Sequence, residues 1–580
     1  MESSTTTSAA SFHCTLTGVD IAIIIAYLTG IVALGCWAGL RKRSKEGGVA
    51  QDYFLAGRHL NWFMIGLSLF ATNISCLHLV ALAQAGFDTG LLMGNFEWMA
   101  SVTLILLSLF FAPFYFRSGV TTLPDFLEKR FNRACRDWLA VISIIASVSI
   151  NVTFSFLTGG MVLETLFGVD MYQCILVISV LVGLYTVIGG LSAVVWTEMI
   201  QTFVLLGGAC AITIACWNSL AHSAGDASAG IFGGWDVLKQ VLVREGQSER
   251  LSMLRSGGEL PWFAIFLGYP VIGIWYWCAD QTIVQRVLGA KDENHARVGP
   301  LFAGLIKILP VFLFILPGLF AWALWKNGGL DLKSLTTVVD GKEVVNSKGI
   351  YTVMITQLLS PGLVGAIVAA MLAGLMSNVA ASLNSISTLV SYNLYRRLKP
   401  TSSDAQVVLV GRISVVVAIV VGIGAVYLAK NYDSIFAGIN DIIAHIAPPI
   451  TTVFLIGVFW RRATALAAQW TLWIGSTLGI VVFILAKCAT RWELEHQQPF
   501  AFLVETSFMM KAFWLFCVCS TIMIIISLAK PKELSAEQMK LCWASPLDPI
   551  RQPGWPGVFD YRFLSAMLIV IMIVLYTVFR

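Results

Sequence analysis

Charged side chains are scarce in this sequence. Only 12% of the 580 residues are Asp, Glu, Lys or Arg, against 57% hydrophobic, whereas a soluble globular chain carries about a quarter of its residues charged. That deficit excludes a water-soluble domain and marks an integral membrane protein. No dense basic run or basic-aromatic motif occurs, so the net charge of +5 is assigned to cytoplasmic Lys/Arg anchors, and no nucleic-acid partner is expected. Paired CxxC spacings are lacking as well. The twelve cysteines are scattered, only Cys517 and Cys519 lie close together, and all are read as packing residues. There is no P-loop, HExxH or GxSxG, so neither an ATP-driven cycle nor an enzyme is expected. Met1 to Thr17 hold no Lys or Arg; without the basic start of a secretory signal, the first apolar span is expected to be retained.

What the chain has is hydrophobic length. Apolar runs long enough for a helical crossing fall near 20–40, 60–86, 94–117, 136–167, 172–190, 194–218, 261–288, 297–325, 350–394, 405–428, 435–460, 463–487, 508–529 and 561–579, whereas barrel strands would be short and alternating. The fold class is therefore an all-α polytopic membrane protein with about fourteen transmembrane helices. Basic clusters at Arg41–Lys45, Lys129–Arg136, Arg286–Arg297, Arg396–Lys399, Arg461–Arg462 and Lys530–Lys540 all follow odd-numbered spans. The positive-inside rule makes that side cytoplasmic, with both termini and the connections 219–260 and 326–349 outside. The sequon Asn151-Val-Thr153 falls inside the fourth span and is read as no glycosylation site.

Two spans are interrupted. Asn73, Ser75, His78 and Gln84 break the run 70–87, and glycine, proline and polar residues break Gly268–Gln281. Lipid cannot satisfy broken backbone or bare polar side chains, so such segments belong inside a bundle or against a water-filled cavity. They open the second and seventh spans, and corresponding breaks in two halves of odd helix number point to inverted repeats with a binding site between them.

Several motifs carry a resemblance: Tyr53-Phe-Leu-Ala-Gly-Arg58, Ser68-Leu-Phe-Ala-Thr-Asn-Ile74, Phe96-Glu-Trp98, Leu123 to Phe131, Tyr185 to Ala193, Trp275-Tyr-Trp-Cys-Ala-Asp-Gln281, Asn384-Ser-Ile-Ser-Thr388, Pro448-Pro449 and Phe459-Trp-Arg-Arg462. In this order and spacing the chain resembles the sodium/solute symporter family, most closely its sodium/glucose cotransporter-like branch. The resemblance implies a LeuT-like five-plus-five inverted repeat with extra terminal helices. The tail and first helix then take 1–59, the first repeat 60–218, an external loop 219–260, the second repeat 261–460 and the last helices 461–580, with a cytoplasmic connector near 530–558.

A sugar needs amide, carboxylate and imidazole partners plus an aromatic face; Asn73, His78, Glu97, Tyr276, Trp277, Lys307 and Asn440 supply that set. By motif, the resemblance makes them substrate contacts. For Glu97 and Lys307 a buried structural ion pair is the competing reading, and for His78 a hydrogen-bonded core histidine. The resemblance also implies outer-gate roles for Leu82, Phe96 and Phe436, an inner-gate role for Tyr276, and a sodium site formed by Ala71, Ile74, Gly374, Ser377 and Asn378.

Certain positions depart from the family pattern. Asn378 stands where relatives carry a second Ser, Gly273 where they carry Asn or Thr, and Asn440 where they carry Gln. Glu198 and Ala381 replace the Asp and Ser of a second sodium site, so one Na+ per solute is expected. The function expected is a sodium-coupled symporter of the cell membrane that imports a hexose-like sugar by alternating access. Another small polar solute (polyol or inositol, carboxylate, amino acid) is the alternative, and a channel or membrane sensor the remote one. Its partners would be the solute, Na+ and the lipid bilayer, with the unit read as a monomer.

Overall fold

The computed structural model describes residues 16–41, 48–223, 230–258, 260–339, 342–429, 435–492, 497 and 500–580. Among them, twelve helices are long and apolar enough to cross a membrane. The difference from fourteen has two local causes. The expected fifth and sixth spans form one hydrogen-bonded run, and the second span is split into a short helix, Trp62–Asn73, and a second piece that runs on into the third span. A two-stranded antiparallel hairpin, Thr336–Val339 with Lys342–Val345, adds structure to the connection after the eighth span.

The first helix, α1 (Gly18–Leu40), starts on a capping box: Thr17 and Asp20 bond each other's backbone amides. The interrupted second span gives α2 (Trp62–Asn73), capped by the Asn61 side chain, and α3 (Cys76–Thr89). Between them Ile74 (ψ 122°) and Ser75 (ψ 172°) are extended, which leaves carbonyls at the end of α2 without helical partners. Next come α4 (Asn95–Leu106) and α5 (Thr153–Phe167), the latter entered through the π-helical turn Ser147–Val152.

The 52-residue α6 (Met171–His222) bends at Gly190, whose φ of 56° and ψ of −146° interrupt the helix. A Cβ there would lie 2.2 Å from the carbonyl oxygen of Tyr53. Gly190→Ala is therefore expected to lower stability by about 1–3 kcal/mol, the usual cost of a non-glycine residue forced into such backbone. A thermal melt in detergent that matched wild type would show that the bend does not need glycine.

The second interrupted span is α7 (Trp262–Ile274), a π-helical turn Trp275–Ala279, and α8 (Gln281–Leu288). Its break is not at the glycines. Gly268 and Gly273 sit within α7, where Gly268 allows close approach of the Met509 backbone. The chain leaves the helix instead at Asp280 (ψ 130°), whose carboxylate accepts from the amides of Thr282 and Ile283 at 2.8 and 3.3 Å and starts α8. An Asp followed by a fresh helix is an N-cap signal, and it outweighs glycine here.

After α9 (Glu293–Ile306) comes the most enclosed span, α10 (Leu363–Leu389), followed by α11 (Ile435–Phe459) and α12 (Phe508–Ala529). The apolar window of the run holding α10 is 83% buried, against 17% for α1 and 28% for α12. The core thus lies along α10, which packs on α6, while the terminal helices face lipid. Asp20 joins the two zones: its Oδ1 accepts from the amides of Gly362 and Gly365 at 2.8 and 2.7 Å, capping the start of α10 from another helix.

Candidate functional site

The break between α2 and α3 opens onto a cavity of about 210 Å³ bounded also by α4, α5, α7, α10 and α11. That is below the roughly 300 Å³ at which drug-sized pockets begin, so a small solute fits its scale. Its lining includes Asn73, His78, Glu97, Tyr276, Trp277, Lys307 and Asn440. All seven residues expected as solute contacts are thus brought to one cavity.

Four of them are wired together. The Lys307 ammonium bonds both the Glu97 carboxylate and the Asn73 amide oxygen, and Asn73 Nδ2 donates to the Tyr276 hydroxyl at 3.2 Å. Lys307 also lies 5.6 Å from the centre of the Trp277 ring and 5.9 Å from that of Phe70. An ammonium fully withdrawn from water is tolerated in such a place only with a carboxylate and aromatic faces around it.

His78 caps the break. The Ser75 backbone N–H donates to His78 Nδ1 at 3.1 Å, and the Ser75 hydroxyl lies 3.0 Å from the same nitrogen. An acceptor lone pair on Nδ1 places the proton of the neutral ring on Nε2, which points at Glu97 Oε1 from 3.9 Å. Glu97 and Lys307 then cancel, His78 is neutral, and the described lining carries no net charge.

Of the expected gate residues, Leu82 and Phe96 line the cavity. Phe96 stacks on Phe508, with ring centroids 6.1 Å apart, and meets Tyr269 edge-on. The side chain of Phe436 lies outside the described residues. Gly273 also has a structural reason. A Cβ there would come within 2.7 Å of the Tyr269 ring and 2.8 Å of the Thr103 methyl, so the wall is already filled where relatives place a larger side chain.

The expected ion residues gather beside the break, and all but Asn378 stand behind the cavity wall. Gly374 lets α10 touch it: an added Cβ would be 3.0 Å from the Ser75 carbonyl carbon and 3.1 Å from the Cys76 nitrogen. One turn on, the Ser377 hydroxyl donates to the Ala71 carbonyl at 2.9 Å. Asn378 Nδ2 donates to the Thr72 carbonyl at 2.9 Å, and its Oδ1 accepts from the Ser155 hydroxyl, also at 2.9 Å. Backbone carbonyls and the Ser377 hydroxyl are hard oxygen donors of the kind a sodium ion takes, so these residues fit that ion, while Asn378 joins the set only with its amide oxygen turned to the break. The longer reach of Asn378 turns its oxygen toward α5 and its NH2 toward α2.

Glu198, by contrast, is already engaged. Its carboxylate accepts from Arg286 at 2.7 Å and Thr72 at 3.0 Å, and bonds Ser68 too, with both charged side chains fully buried. Ala381 is likewise buried.

Three polar lining residues escape the reading of the sequence: Asn151, Ser155 and Thr158. Asn151 shows there only as part of a silent sequon. Their i, i+4, i+7 spacing puts them on one face of a helix in an otherwise apolar span, and that spacing is the signal by which they can be found.

The comparisons with known proteins agree with this architecture. The family model described as "SSF: Sodium:solute symporter family" matches residues 53–475. The sheep sodium/glucose cotransporter 1 is 31% identical over 90% of this chain and 81% of its own length. The rat sodium/glucose cotransporter 2 is 34% identical over 80% and 71%, and the bovine sodium/mannose cotransporter is 32% identical over 83% and 80%. Among solved structures, the substrate-bound outward-open state of a Na+-coupled sialic acid symporter superposes with a TM-score of 0.73 at 21% identity, covering 89% of this chain and 100% of that one. With the model matching most of its length, this multi-pass membrane protein belongs to the sodium:solute symporter family.

Proposed function

We propose that the chain is a sodium-coupled symporter that carries a neutral sugar, hexose-like in size, across the cell membrane by alternating access. The observation that carries the choice of solute is the charge balance of the cavity. One carboxylate and one ammonium satisfy each other, so a solute of net charge, such as a carboxylate, finds no counter-charge in the described lining, while uncharged hydroxyls need none. Trp277 and Tyr276 offer ring faces to the apolar side of a pyranose. The names of the sodium/glucose and sodium/mannose relatives point the same way.

In this reading Asn73, His78, Glu97, Lys307 and Asn440 bind solute together with Asn151. Leu82, Phe96 and Phe436 close the outer side, and Tyr276 the inner. Segments 60–218 and 261–460 are the two inverted repeats. Sodium binds where α10 meets the α2–α3 break, at Ala71, Ile74, Gly374, Ser377 and Asn378. It biases the outward-open form only through its greater affinity for that form. One ion moves per solute, because Glu198 is held by Arg286.

Uptake of labelled hexose into proteoliposomes is expected to saturate, to concentrate solute inside, and to fall to background when choline replaces sodium. Uptake that persists in choline removes the coupling; uptake that competes with a carboxylate or an amino acid but not with hexoses removes the sugar.

A further inference from the structure

Below the cavity, α10 carries a second polar stretch that the solute and ion sites do not use. Asn384 is 1% exposed, and neither its amide nitrogen nor its amide oxygen has a hydrogen-bond partner among the described residues. Ser385 Oγ on the same helix, and Thr282 Oγ1 and Gln285 Oε1 on α8, are buried and without partners in the same way. Burying such groups unbonded is costly, and inside a membrane protein it marks a place that other ligands visit.

The placement of these groups traces a line. Ser377, Ala381, Asn384 and Thr388 recur at i, i+4, i+7 and i+11, so they share one face of α10. That face begins at the hydroxyl bonded to Ala71. It ends where Gln285 Nε2 donates to Thr388 Oγ1 at 2.6 Å. Tyr276 and Asn378 both line the cavity, and the chain segments that hold them meet again at the Gln285–Thr388 bond, so α8 and α10 descend side by side in the same sense. Thr282 stands one turn above Gln285, level with Asn384 and Ser385. Ala381, the residue between the ion site and Asn384, is small and buried.

We propose that this seam between α8 and α10 is the route by which sodium leaves for the cytoplasm, with Asn384 as a transient ligand on the way. An amide oxygen and hydroxyls are what a hard cation accepts in exchange for its hydration water, and the Gln285–Thr388 bond closes the lower end until the helices part. Glu198 is not one of the route's ligands: its carboxylate is already held by Arg286, one turn beyond Thr282 on α8, and by Ser68 and Thr72 of α2. This inference rests on the sodium-coupled reading above.

The test uses the full chain in proteoliposomes and compares net uptake into sodium-free vesicles with solute exchange at equal, saturating sodium on both sides. Exchange can proceed with the ion still bound, whereas net uptake requires its release. Asn384→Leu and, as a milder second variant, Thr282→Val are expected to slow net uptake about tenfold and leave exchange within about twofold. Asn384→Asp adds a charge that holds the ion, so the internal sodium concentration giving half-inhibition should fall about tenfold. Equal losses in net uptake and exchange, or an unmoved half-inhibition in Asn384→Asp, overturn the proposal. A wild-type protein that ignores sodium altogether would instead overturn the coupling reading.

Discussion

Lys307→Ala is expected to abolish sodium-driven uptake. The substitution leaves the Glu97 carboxylate buried, 3% exposed, without the ammonium that bonds it, and it strips the Asn73 oxygen of its donor. Breaking one side of a buried ion pair costs about 3–5 kcal/mol, which read through a binding equilibrium is a loss of roughly a hundredfold or more. Folding and solute recognition can be separated. In Lys307→Met/Glu97→Leu both charges go together, and apolar replacement of a whole pair is often neutral or stabilising. Thermal stability of the double variant should return toward wild type while uptake and solute-induced stabilisation stay absent. Recovery of uptake together with stability would reduce the pair to a structural brace.

Arg286→Met is expected to be the most destabilising single change in the inner half of the molecule. Arg286 ties three elements: its guanidinium donates to Glu198 on α6 at 2.7 Å and to Ser68 on α2 at 3.2 Å, and bonds the Thr282 carbonyl within α8. Removing it leaves Glu198 fully buried with only the Ser68 and Thr72 hydroxyls, a loss of about 3–5 kcal/mol by the same argument. The double variant Arg286→Met/Glu198→Leu should regain most of that stability. A melting point equal in the single and double variants would show that the two charges do not depend on each other. Because α2 and α8 are the lower halves of the two interrupted spans, the pair also bolts them together, and sodium-dependent exchange should be lost in both variants whatever their stability.

The membrane class, most spans and the cavity-lining residues were legible because charged and strongly polar side chains are rare inside a membrane. Glu97, Lys307 and Asn73 interrupt apolar runs, and no lipid-facing helix tolerates them. The first break was equally plain, since Asn73, Ser75 and His78 cluster within one and a half turns. The second falls within the expected stretch Gly268–Gln281 but at its polar end: Gly268 serves close packing against Met509, and the start of α8 is written in Asp280. Asn151 and Ser155 are easily passed over because Asn151 reads first as part of a sequon, although with Thr158 they mark one face at i, i+4 and i+7 of an otherwise apolar span. The Asn378 interactions could not be inferred from residue type, since an amide can present either oxygen or nitrogen, and only the positions of Thr72 and Ser155 decide which goes where.

The bond from Asp20 to Gly362 and Gly365 has a meaning for how the molecule is made. The acceptor is synthesised 342 residues before the first of its donors, so the first helix must wait in the bilayer, close at hand, until most of the bundle has been threaded in. Until then the leading amides of α10 have no partner from that side, and a buried amide left unbonded costs about 1–3 kcal/mol. Shortened transcripts, amino-terminal fusions that drag the first helix away, and substitutions at Asp20 would therefore injure biogenesis rather than transport, with the loss seen as poor delivery to the cell surface and normal kinetics in the molecules that arrive.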